Sequence, residues 1–329
     1  MRIGVNGFGR IGRYFTRLAL QCEDLEVVMV NDLAPIETLA HLLKYDSVHG
    51  LLNLDFSIHG NEIHFCNGKK IAFSAEKNPS DIKWSERNVD IVLESTGLFR
   101  SSSTAALHLS GSVKRVVISA PAQGDDVKTV VLGVNDTILQ KDDKIISNAS
   151  CTTNSAAPMI AVLKEICQIK SAYITTVHSY TSDQRLHDAP HSDLRRARAA
   201  AQSIVPTSTG AAKAISRIFP ELEGQIGGCG IRVPVPDGSL TDLTIVVEKT
   251  PTVEEINQAF KKAASTTLKG ILSYIDDPIV SVDIIGNSHS CIFDSLLTSV
   301  IGDNMIKVVG WYDNEAGYSS RLIDLMRKL

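Results

Sequence analysis

GFGRIG, at residues 7–12, is the stretch that decides the fold of the first half of the chain. It follows a short β run, Arg2–Asn6, and leads into a helical pattern at residues 13–20. A second apolar run, at residues 26–30, predicts another strand. Strand, glycine-rich turn, helix and strand in this order are typical of the first βαβ unit of a Rossmann-type, doubly wound parallel sheet.

Three glycines and one acid in this unit predict a dinucleotide site. Gly7 permits a tight turn, Gly9 allows a pyrophosphate to approach the backbone, and Gly12 lets helix and strand pack closely. Asp32 lies 20 residues beyond Gly12, at the end of the second strand, where a carboxylate accepts hydrogen bonds from the ribose hydroxyls. Because that carboxylate would repel a 2′-phosphate, the predicted cofactor is NAD rather than NADP.

The rest of the first half continues the sheet. A crossover helix is predicted at residues 104–109, and further buried strands at 89–94, 115–119, 129–134 and 144–146. Polar turns follow two of these strands, at 95–97 and 119–121, where they either border the cofactor or are ordinary turns. Between residues 55 and 75, the turn pairs at 60–61 and 67–68 predict three short antiparallel strands.

The composition excludes several classes of protein. With a net charge of −4, the 329-residue chain has no global attraction for nucleic acid or an anionic membrane surface. No apolar run approaches the roughly 20 residues that a membrane-spanning helix needs, and no signal peptide precedes the first strand, so we expect a cytoplasmic protein. The six cysteines include no C-x-x-C pair, which argues against a zinc site and a disulfide framework.

One cysteine, Cys151, lies in the small-residue stretch SNASCTTN at residues 147–154. A β run ends just before this stretch and an apolar helical pattern starts just after it, which places Cys151 at a helix N-terminus. There the free backbone N–H groups and the positive end of the helix dipole favour the thiolate, the reactive form of the side chain. On this stretch alone, a turn that merely tolerates cysteine is an equal alternative.

His178 is the candidate base for that thiol. The β-branched run at 171–177 predicts a strand that delivers His178 at its end. A strand, helix and strand can bring Cys151 and His178 together as nucleophile and base. Taken alone, a histidine at a strand end is more often packed or exposed without a catalytic role.

Basic and hydroxyl side chains follow in the second half. The polar region 180–203 includes LRRAR at 194–198, whose arginines either bind phosphate or form a solvated helix face. The turn PTSTG at 206–210 opens a helix at 211–219, and its hydroxyls suit an anion site or ordinary capping. Arg232 lies within an apolar strand, where a buried cation needs a partner or a ligand, so it ranks above the 195–198 run as an anion ligand.

The architecture changes near Cys151. Strands predicted at 239–247, 279–285, 291–294 and 305–310, with a helix at 252–265, form a mixed, largely antiparallel sheet. The sequence therefore predicts an NAD-binding domain at 1–150 and an α+β catalytic and substrate-binding domain at 151–313. Residues at the end of the chain read as a terminal helix within 314–329.

Together these motifs closely resemble the phosphorylating glyceraldehyde-3-phosphate dehydrogenases, over essentially the whole chain. The runs that carry the resemblance are VNGFGRIGR, LLKYDSVHG, ISNASCTTN, HSYTSDQR, DLRRARAAA, PTSTGAAKA, IRVPVPDGS and WYDNEAGYSS. The resemblance implies NAD-dependent oxidative phosphorylation of D-glyceraldehyde 3-phosphate to 1,3-bisphosphoglycerate, in glycolysis or gluconeogenesis. It also implies a homotetramer whose final helix, 314–329, packs back on the first domain.

The resemblance assigns roles to individual residues. Cys151 forms a hemithioacetal and then a thioester with the substrate, and His178 acts as the base. Thr181 and Arg232 hold the substrate's own phosphate. The residues around the attacking inorganic phosphate are Ser150, Thr152, Arg196, Thr209 and Gly210. The residues at the cofactor are Gly7, Phe8, Gly9, Arg10, Ile11, Gly12, Asp32, Ser119 and Asn314. Asn314 orients the nicotinamide carboxamide.

Three departures from the family pattern leave questions open. Ala316 stands where an aromatic residue is common, and Ser155 replaces a frequent second cysteine four residues after the nucleophile. Ala189-Pro190 replaces a larger apolar residue before proline, which keeps NADP open as a second cofactor. Two other functions also remain: an erythrose-4-phosphate dehydrogenase, and an inactive scaffold that serves as a binding or regulatory protein. The HSYT and PTSTG runs and the filled catalytic positions favour the glyceraldehyde enzyme.

Overall fold

The glycine-rich turn joins the first strand of a parallel sheet to its first helix. In the computed structural model, which describes every residue from Met1 to Leu329, β1 (Arg2–Asn6) ends at the turn and α1 (Arg10–Ala19) follows it. The next strand, β2 (Glu26–Asn31), pairs with β1 in parallel. Both strands are almost fully buried, as parallel strands covered on two faces should be. The predicted βαβ unit is confirmed.

Nine strands form the sheet of this first unit. The remaining elements are α2 (Ile36–Lys44), β3 (Tyr45–Asp46), β4 (Gly50–Leu51), β5 (Phe56–His59), β6 (Glu62–Phe65), β7 (Lys70–Ser74), β8 (Ile91–Glu94), α3 (Ser102–Ala105), β9 (Arg115–Ile118), β10 (Lys128–Thr129) and β11 (Ile145–Ser147). The strand order is β10-β11-β9-β8-β1-β2-β7-β6-β5, and β3 pairs with β4 separately. Pairing is parallel from β10 to β7 and antiparallel at β6 and β5. The Rossmann-type sheet and the antiparallel strands at 55–75 are confirmed.

Two predicted elements of this half are corrected. The strand predicted at 129–134 is wrong beyond Thr129, because the backbone N–H of Val131 donates to Asn135 Oδ1 at 2.7 Å and the chain turns there. The crossover helix predicted at 104–109 begins earlier, behind a capping box formed by Ser101 and Thr104, and tightens into a 3₁₀ turn at Ala106–His108.

The second unit begins with the predicted helix at Cys151. Its elements are α4 (Cys151–Ile166), β12 (Ile169–Ser179), β13 (Val205–Thr207), α5 (Ala211–Ile218), β14 (Ile226–Val233), β15 (Ser239–Val247), α6 (Val253–Ser265), β16 (Leu272–Ile275), β17 (Cys291–Ile301) and β18 (Met305–Tyr312). The strand order is β13-β14-β12-β15-β18-β17-β16. Only the β12–β14 and β16–β17 pairs are parallel, which confirms a mixed, largely antiparallel sheet.

One face of this sheet carries the core. Side chains of β15 alternate between buried and partly exposed, with Leu243 and Ile245 fully buried, and α4, α5 and α6 pack against the sheet. The strand predicted at 279–285 is wrong. Ser281–Ile284 forms a 3₁₀ helix, because Asp283 Oδ2 accepts the backbone N–H of Val280 at 2.8 Å.

The chain divides into two compact units. The first comprises Met1–Val130, Thr137–Ala149 and Ser319–Leu329, and the second comprises Val131–Asp136 and Ser150–Tyr318. This differs from the predicted limits of 1–150 and 151–313. Residues 131–136 join the second unit because Gly133 packs so closely on Ile271 that a Cβ there would lie 2.7 Å from it. The last helix, α7 (Ala316–Lys328), starts in the second unit and continues in the first. None of the helices is both long and apolar enough to cross a membrane.

Candidate active site

Cys151 is the first residue of α4 and is partly buried. Ser150 caps the helix, since its hydroxyl accepts the backbone N–H of Thr153 at 3.1 Å. The residue before the cap, Ala149, is buried and has a φ of +56°, a left-handed conformation that is unfavourable for a residue with a Cβ. The bend at Ala149 and the cap at Ser150 fix where α4 starts, and with it the position of the sulfur.

The imidazole of His178 lies beside that sulfur. His178 is buried near the end of β12, and its Nε2 is 3.4 Å from Cys151 Sγ. Its Nδ1 is 2.8 Å from the carbonyl oxygen of Ser179 and 2.5 Å from Nη1 of Arg232. A carbonyl only accepts and a guanidinium only donates, so these two neighbours require opposite tautomers of the ring. The tautomer that donates to Ser179 leaves Nε2 free to accept the thiol proton.

The pairing of β12 with β14 sets Arg232 directly opposite His178. Nη1 of Arg232 also donates to the carbonyl oxygen of Ser179 at 3.1 Å, and burial lowers the pKa of the guanidinium. Arg232 makes no ion pair with a carboxylate. A largely buried cation with this set of neighbours can take up an anionic ligand.

Burial sets the protonation of the thiol and the imidazole. It raises the pKa of Cys151 to about 11, against the charge of Arg232 and hydrogen bonds from Thr152. Burial, together with the charge of Arg232, lowers the pKa of His178 to about 3. The expectation that the helix N-terminus favours a thiolate is therefore outweighed by desolvation of the sulfur. Moving the proton from Sγ to Nε2 forms both charges at once at 3.4 Å, where their attraction offsets part of that desolvation.

Arg196 differs from Arg232 in having two carboxylate partners. It forms ion pairs with Asp183 and with Asp193, the latter at 3.5 Å. Its Nε also donates to Thr207 Oγ1 at 2.8 Å, and Thr207 lies on β13, the strand that pairs with β14. Arg196 is therefore held in place by neighbours of its own, and its charge is already partly offset.

The remaining predicted phosphate ligands lie around loops of the same unit. Gly210 caps α5, and a Cβ at Gly210 would meet no atom within 4 Å, so space is open at the start of this helix. Thr209 Oγ1 accepts the backbone N–H of Ala211 at 3.2 Å. The backbone N–H of Thr181 donates to Gln184 Oε1 at 3.4 Å.

Thr152 is placed differently from the other predicted phosphate ligands. It is buried, and its hydroxyl lies 2.9 Å from the hydroxyl of Tyr312, which is 2.8 Å from Thr176 Oγ1. The Tyr312 ring lies 6.0 Å from the His178 ring. Tyr312 was missed by the sequence reasoning, although it is the second residue of the WYDNE run.

Two serine hydroxyls hold the amide of Asn314. Ser179 Oγ donates to Asn314 Oδ1 at 2.9 Å, and Ser239 Oγ donates to the same oxygen at 2.7 Å. Ser239 Oγ in turn accepts the backbone N–H of Ser179 at 3.1 Å. With its oxygen engaged twice, Asn314 has Nδ2 left to donate to a ligand. No sequence signal pointed to either serine, since their meeting depends on the register of β12 against β15.

In the first unit, the glycine turn fits a pyrophosphate. Gly7 has a φ of +89°, and a Cβ there would lie 2.7 Å from the backbone N of Thr96. A Cβ at Gly12 would overlap the carbonyl oxygen of Gly7, whereas a Cβ at Gly9 would meet nothing within 4 Å. The turn is thus tightly packed on the sheet side and open at Gly9, the position where a phosphate must approach.

Side chains around the turn complete the predicted cofactor residues of this unit. Asp32 Oδ2 accepts the backbone N–H of Phe8 at 2.7 Å, which ties the end of β2 to the turn. Arg10 is engaged with Asp46 at 2.6 Å, so its side chain has a partner within the unit. Ser119 follows β9, and Ile11 lies in the first turn of α1. Asn314, the other predicted cofactor residue, belongs to the second unit.

Two of the positions that depart from the family pattern are buried. Ser155, on α4, accepts a hydrogen bond from Thr241 Oγ1 at 3.1 Å and also contacts Cys291. The backbone N–H of Ala316 donates to Asp313 Oδ1 at 2.7 Å at the start of α7. Both residues are integrated into the fold of the second unit.

Comparison with known proteins adds an independent finding. Residues 1–102 match the family described as "Glyceraldehyde 3-phosphate dehydrogenase, NAD binding domain", and residues 150–314 match its "C-terminal domain". The chain is 54% identical to glyceraldehyde-3-phosphate dehydrogenase of Geobacillus stearothermophilus and 53% identical to glyceraldehyde-3-phosphate dehydrogenase 2 of Streptomyces avermitilis. It is 54% identical to glyceraldehyde-3-phosphate dehydrogenase of Mycobacterium avium. Each alignment covers 99% of this chain and 97% of the relative.

Proposed function

The chain belongs to the glyceraldehyde-3-phosphate dehydrogenase family, and from this premise we propose that it catalyses the NAD-dependent oxidative phosphorylation of D-glyceraldehyde 3-phosphate. The product is 1,3-bisphosphoglycerate, and the reaction is a step of glycolysis. One observation carries the proposal: the Cys151 thiol is 3.4 Å from the His178 imidazole, with the guanidinium of Arg232 alongside. Thiol, base and cation are the groups needed to bind an anionic aldehyde and add to it as a hemithioacetal, the species that is then oxidised by NAD.

Cys151 acts first, as the nucleophile. His178 Nε2 accepts the thiol proton, the sulfur bonds to the aldehyde carbon, and Nε2 passes the proton to the former carbonyl oxygen to give a hemithioacetal. Because burial raises the pKa of the Cys151 thiol to about 11, attack at neutral pH needs a base that takes the thiol proton. Arg232 and Thr181 hold the substrate's phosphate, which brings the carbonyl carbon to the sulfur.

His178 acts again in the oxidation. Its Nε2 accepts the proton of the hemithioacetal hydroxyl while a hydride leaves the same carbon, and the carbonyl re-forms as a thioester on Cys151. NAD, when bound, supplies the two-electron acceptor for this oxidation. The 7–12 turn and Asp32 would hold its pyrophosphate and ribose, and Asn314 Nδ2 would hold its carboxamide. The thioester retains the oxidation energy for the next step.

Inorganic phosphate then removes the acyl group. A phosphate oxygen bonds to the thioester carbon, the C–S bond breaks, and the sulfur recovers a proton from His178. Ser150, Thr152, Arg196, Thr209 and Gly210 are the proposed phosphate residues. The open space at Gly210 supports this assignment. For Arg196, whose charge is shared with Asp183 and Asp193, the proposal rests on the family resemblance. For Thr152 the proposal rests on its place in the first turn of α4, since its hydroxyl already bonds to Tyr312.

We extend the proposal to assembly and location. Three apolar side chains of the loop between β12 and β13 are largely exposed: Leu186 at 71%, Leu194 at 81% and Ile204 at 70%. Burial of such side chains against further copies supports a homotetramer. All six cysteines are free, which suits a reducing compartment, and we propose a cytoplasmic location.

The direct test is NAD reduction with glyceraldehyde 3-phosphate, with and without inorganic phosphate. We expect phosphate-dependent turnover, and slower turnover when erythrose 4-phosphate replaces the substrate. A preference for erythrose 4-phosphate would reassign the enzyme to the related dehydrogenase. If the protein binds NAD but turns over neither sugar phosphate, the dehydrogenase function would be rejected in favour of an inactive scaffold that serves as a binding or regulatory protein.

Cys151→Ser separates the chemistry from the fold. The serine hydroxyl is a much weaker nucleophile than the thiolate, so we expect turnover to disappear while NAD affinity, measured by calorimetry, stays within about twofold of the wild type. Full activity in this variant would overturn the proposed mechanism.

A further inference from the structure

A buried carboxylate lies beneath the glycine turn of the first unit. Glu94, the last residue of β8, is 1% exposed and accepts hydrogen bonds from both sides. Its Oε2 accepts from Asn6 Nδ2 at 2.6 Å and from His108 Nε2 at 3.0 Å. Its Oε1 accepts the backbone N–H of Thr96 at 2.8 Å and the hydroxyl of the same residue. Four donors therefore converge on one carboxylate.

The proton positions in this cluster follow from the chemistry of its members. Trp84 Nε1–H donates to His108 Nδ1 at 3.3 Å, and an indole nitrogen can only donate. The His108 proton is therefore on Nε2, which donates to Glu94. The Thr96 hydroxyl accepts the backbone N–H of Leu98 at 3.0 Å, so its own hydrogen is directed to Glu94.

The two protein segments that Glu94 ties together enclose Gly7. Asn6 immediately precedes Gly7, and its amide is oriented from the other side by Asn31, whose Nδ2 donates to Asn6 Oδ1 at 2.8 Å. Thr96 follows β8, and its backbone N is the atom that a Cβ at Gly7 would meet at 2.7 Å. Ser95, which lies between Glu94 and Thr96 in the sequence, donates from its Oγ to the carbonyl oxygen of Gly7 at 2.6 Å. The conformation of the turn thus depends on where Glu94 holds Asn6 and Thr96.

We propose that Glu94 and His108 are positioning residues for NAD, which hold the glycine turn in the shape that receives the pyrophosphate. His108 is needed because its hydrogen bonds link Glu94 to Trp84. The Trp84 side chain is fully buried against Gly4 of β1, so this link fixes the carboxylate relative to the sheet. The inference deepens the NAD-binding part of the proposed function and rests on it. It does not depend on the thiol chemistry of the second unit.

Glu94→Gln is the sharpest test, because the amide has the shape of the carboxylate but brings an NH₂ group against N–H donors. An unsatisfied buried donor is costly, so we expect NAD and ADP-ribose, measured by calorimetry, to bind about tenfold more weakly. Adenosine lacks the pyrophosphate, and its affinity should change less than about twofold. Equal losses for all three ligands, or unchanged NAD affinity, would overturn the proposal.

Variants at His108 provide rescue and a second line of test. His108→Gln retains a donor for Glu94 and an acceptor for Trp84, and should bind NAD almost as the wild type does. His108→Leu retains neither and should resemble Glu94→Gln; equal affinity in the two variants would contradict the role of the hydrogen bonds. If Glu94→Gln does not fold, Thr96→Val removes one donor to the carboxylate and should weaken NAD more than adenosine.

A matched control is Glu62→Gln. Glu62 is a carboxylate of the same unit that bonds to Arg87 and His64, away from the glycine turn. We expect unchanged affinity for all three ligands. Failure of the wild type to bind NAD would count against the proposed function itself, whereas normal NAD binding by both wild type and Glu94→Gln would count against this inference alone.

Discussion

Two buried histidines, one in each unit, have opposite surroundings. His108 lies between an indole that can only donate and a carboxylate that accepts, so one tautomer satisfies the closest partner of each ring nitrogen. Asn6 Nδ2, 3.5 Å from His108 Nε2, donates to Glu94 at 2.6 Å. His178 has a thiol at Nε2, and both a carbonyl and a guanidinium at Nδ1, so no single tautomer satisfies all three. A ring whose two nitrogens are both engaged has no acceptor left for a further proton, whereas His178, in the tautomer that donates to Ser179, keeps Nε2 as an acceptor for the thiol proton. Burial alone therefore does not distinguish a positioning histidine from a base.

The strongest test of this comparison is to replace each ring by an amide, which cannot act as a base. His178→Asn removes the base, and we expect kcat with glyceraldehyde 3-phosphate to fall by about 10² or more. His108→Gln retains both hydrogen bonds of the ring, and its kcat at saturating NAD should stay within about twofold of the wild type. Steady-state kinetics of the two variants measure the difference, and similar losses in both would show that the two sites do not differ as described.

The pH dependence of thiol alkylation tests the same contrast with a smaller effect. Burial raises the pKa of Cys151 to about 11, so without a neighbouring base its thiolate fraction rises with pH across the neutral and alkaline range. In His178→Asn, without substrate, we expect the rate of Cys151 alkylation by iodoacetamide to rise about tenfold per pH unit between about pH 7 and pH 9. In the wild type, Nε2 accepts the proton and the slope should be shallower.

His108→Gln is the control for that measurement, and it should keep the wild-type slope. Parallel slopes in the wild type and His178→Asn would mean that the imidazole does not accept the thiol proton. Peptide mapping identifies which thiol has reacted, which is necessary because the chain has six cysteines.

The smallest expected effect concerns the side-chain amide of Asn314 in the second unit, whose oxygen, like the ring of His108, has two hydrogen-bond partners. Ser239→Ala removes one of the two hydroxyls that donate to Asn314 Oδ1, while the hydroxyl of Ser179 still fixes the amide. We expect KM for NAD to rise a few-fold, with KM for glyceraldehyde 3-phosphate unchanged. Thr244→Ala, on the same strand but away from Asn314, is the matched control. A larger effect on the sugar phosphate than on NAD would refute this role for Ser239.

The parts of the two sites that the sequence predicts are those encoded by consecutive residues. The glycine turn and Asp32 fall within one βαβ unit, and the position of Cys151 at a helix start follows from the small residues around it. The serines at Asn314 and the donors around Glu94 could not be predicted, because strands distant in sequence bring them together. Asn135 and Asp283 show a further limit of prediction from the apolar pattern. The side chain of each accepts a backbone N–H, and the chain forms a turn or a 3₁₀ helix where the pattern predicts a strand.

Ser155 has a consequence for the oxidation of the enzyme. A sulfenic acid formed on Cys151 by peroxide can condense with a thiol to give a disulfide. Four residues further along α4, however, Ser155 has a hydroxyl, which is hydrogen-bonded to Thr241. No disulfide can form at position 155, so we expect a thiol brought by another molecule to recover the enzyme. Mass spectrometry after peroxide and glutathione should find a mixed disulfide at Cys151, whereas Ser155→Cys should divert it to an internal disulfide between Cys151 and the introduced thiol. The same adduct pattern in both proteins would refute this view of how the oxidised nucleophile is recovered.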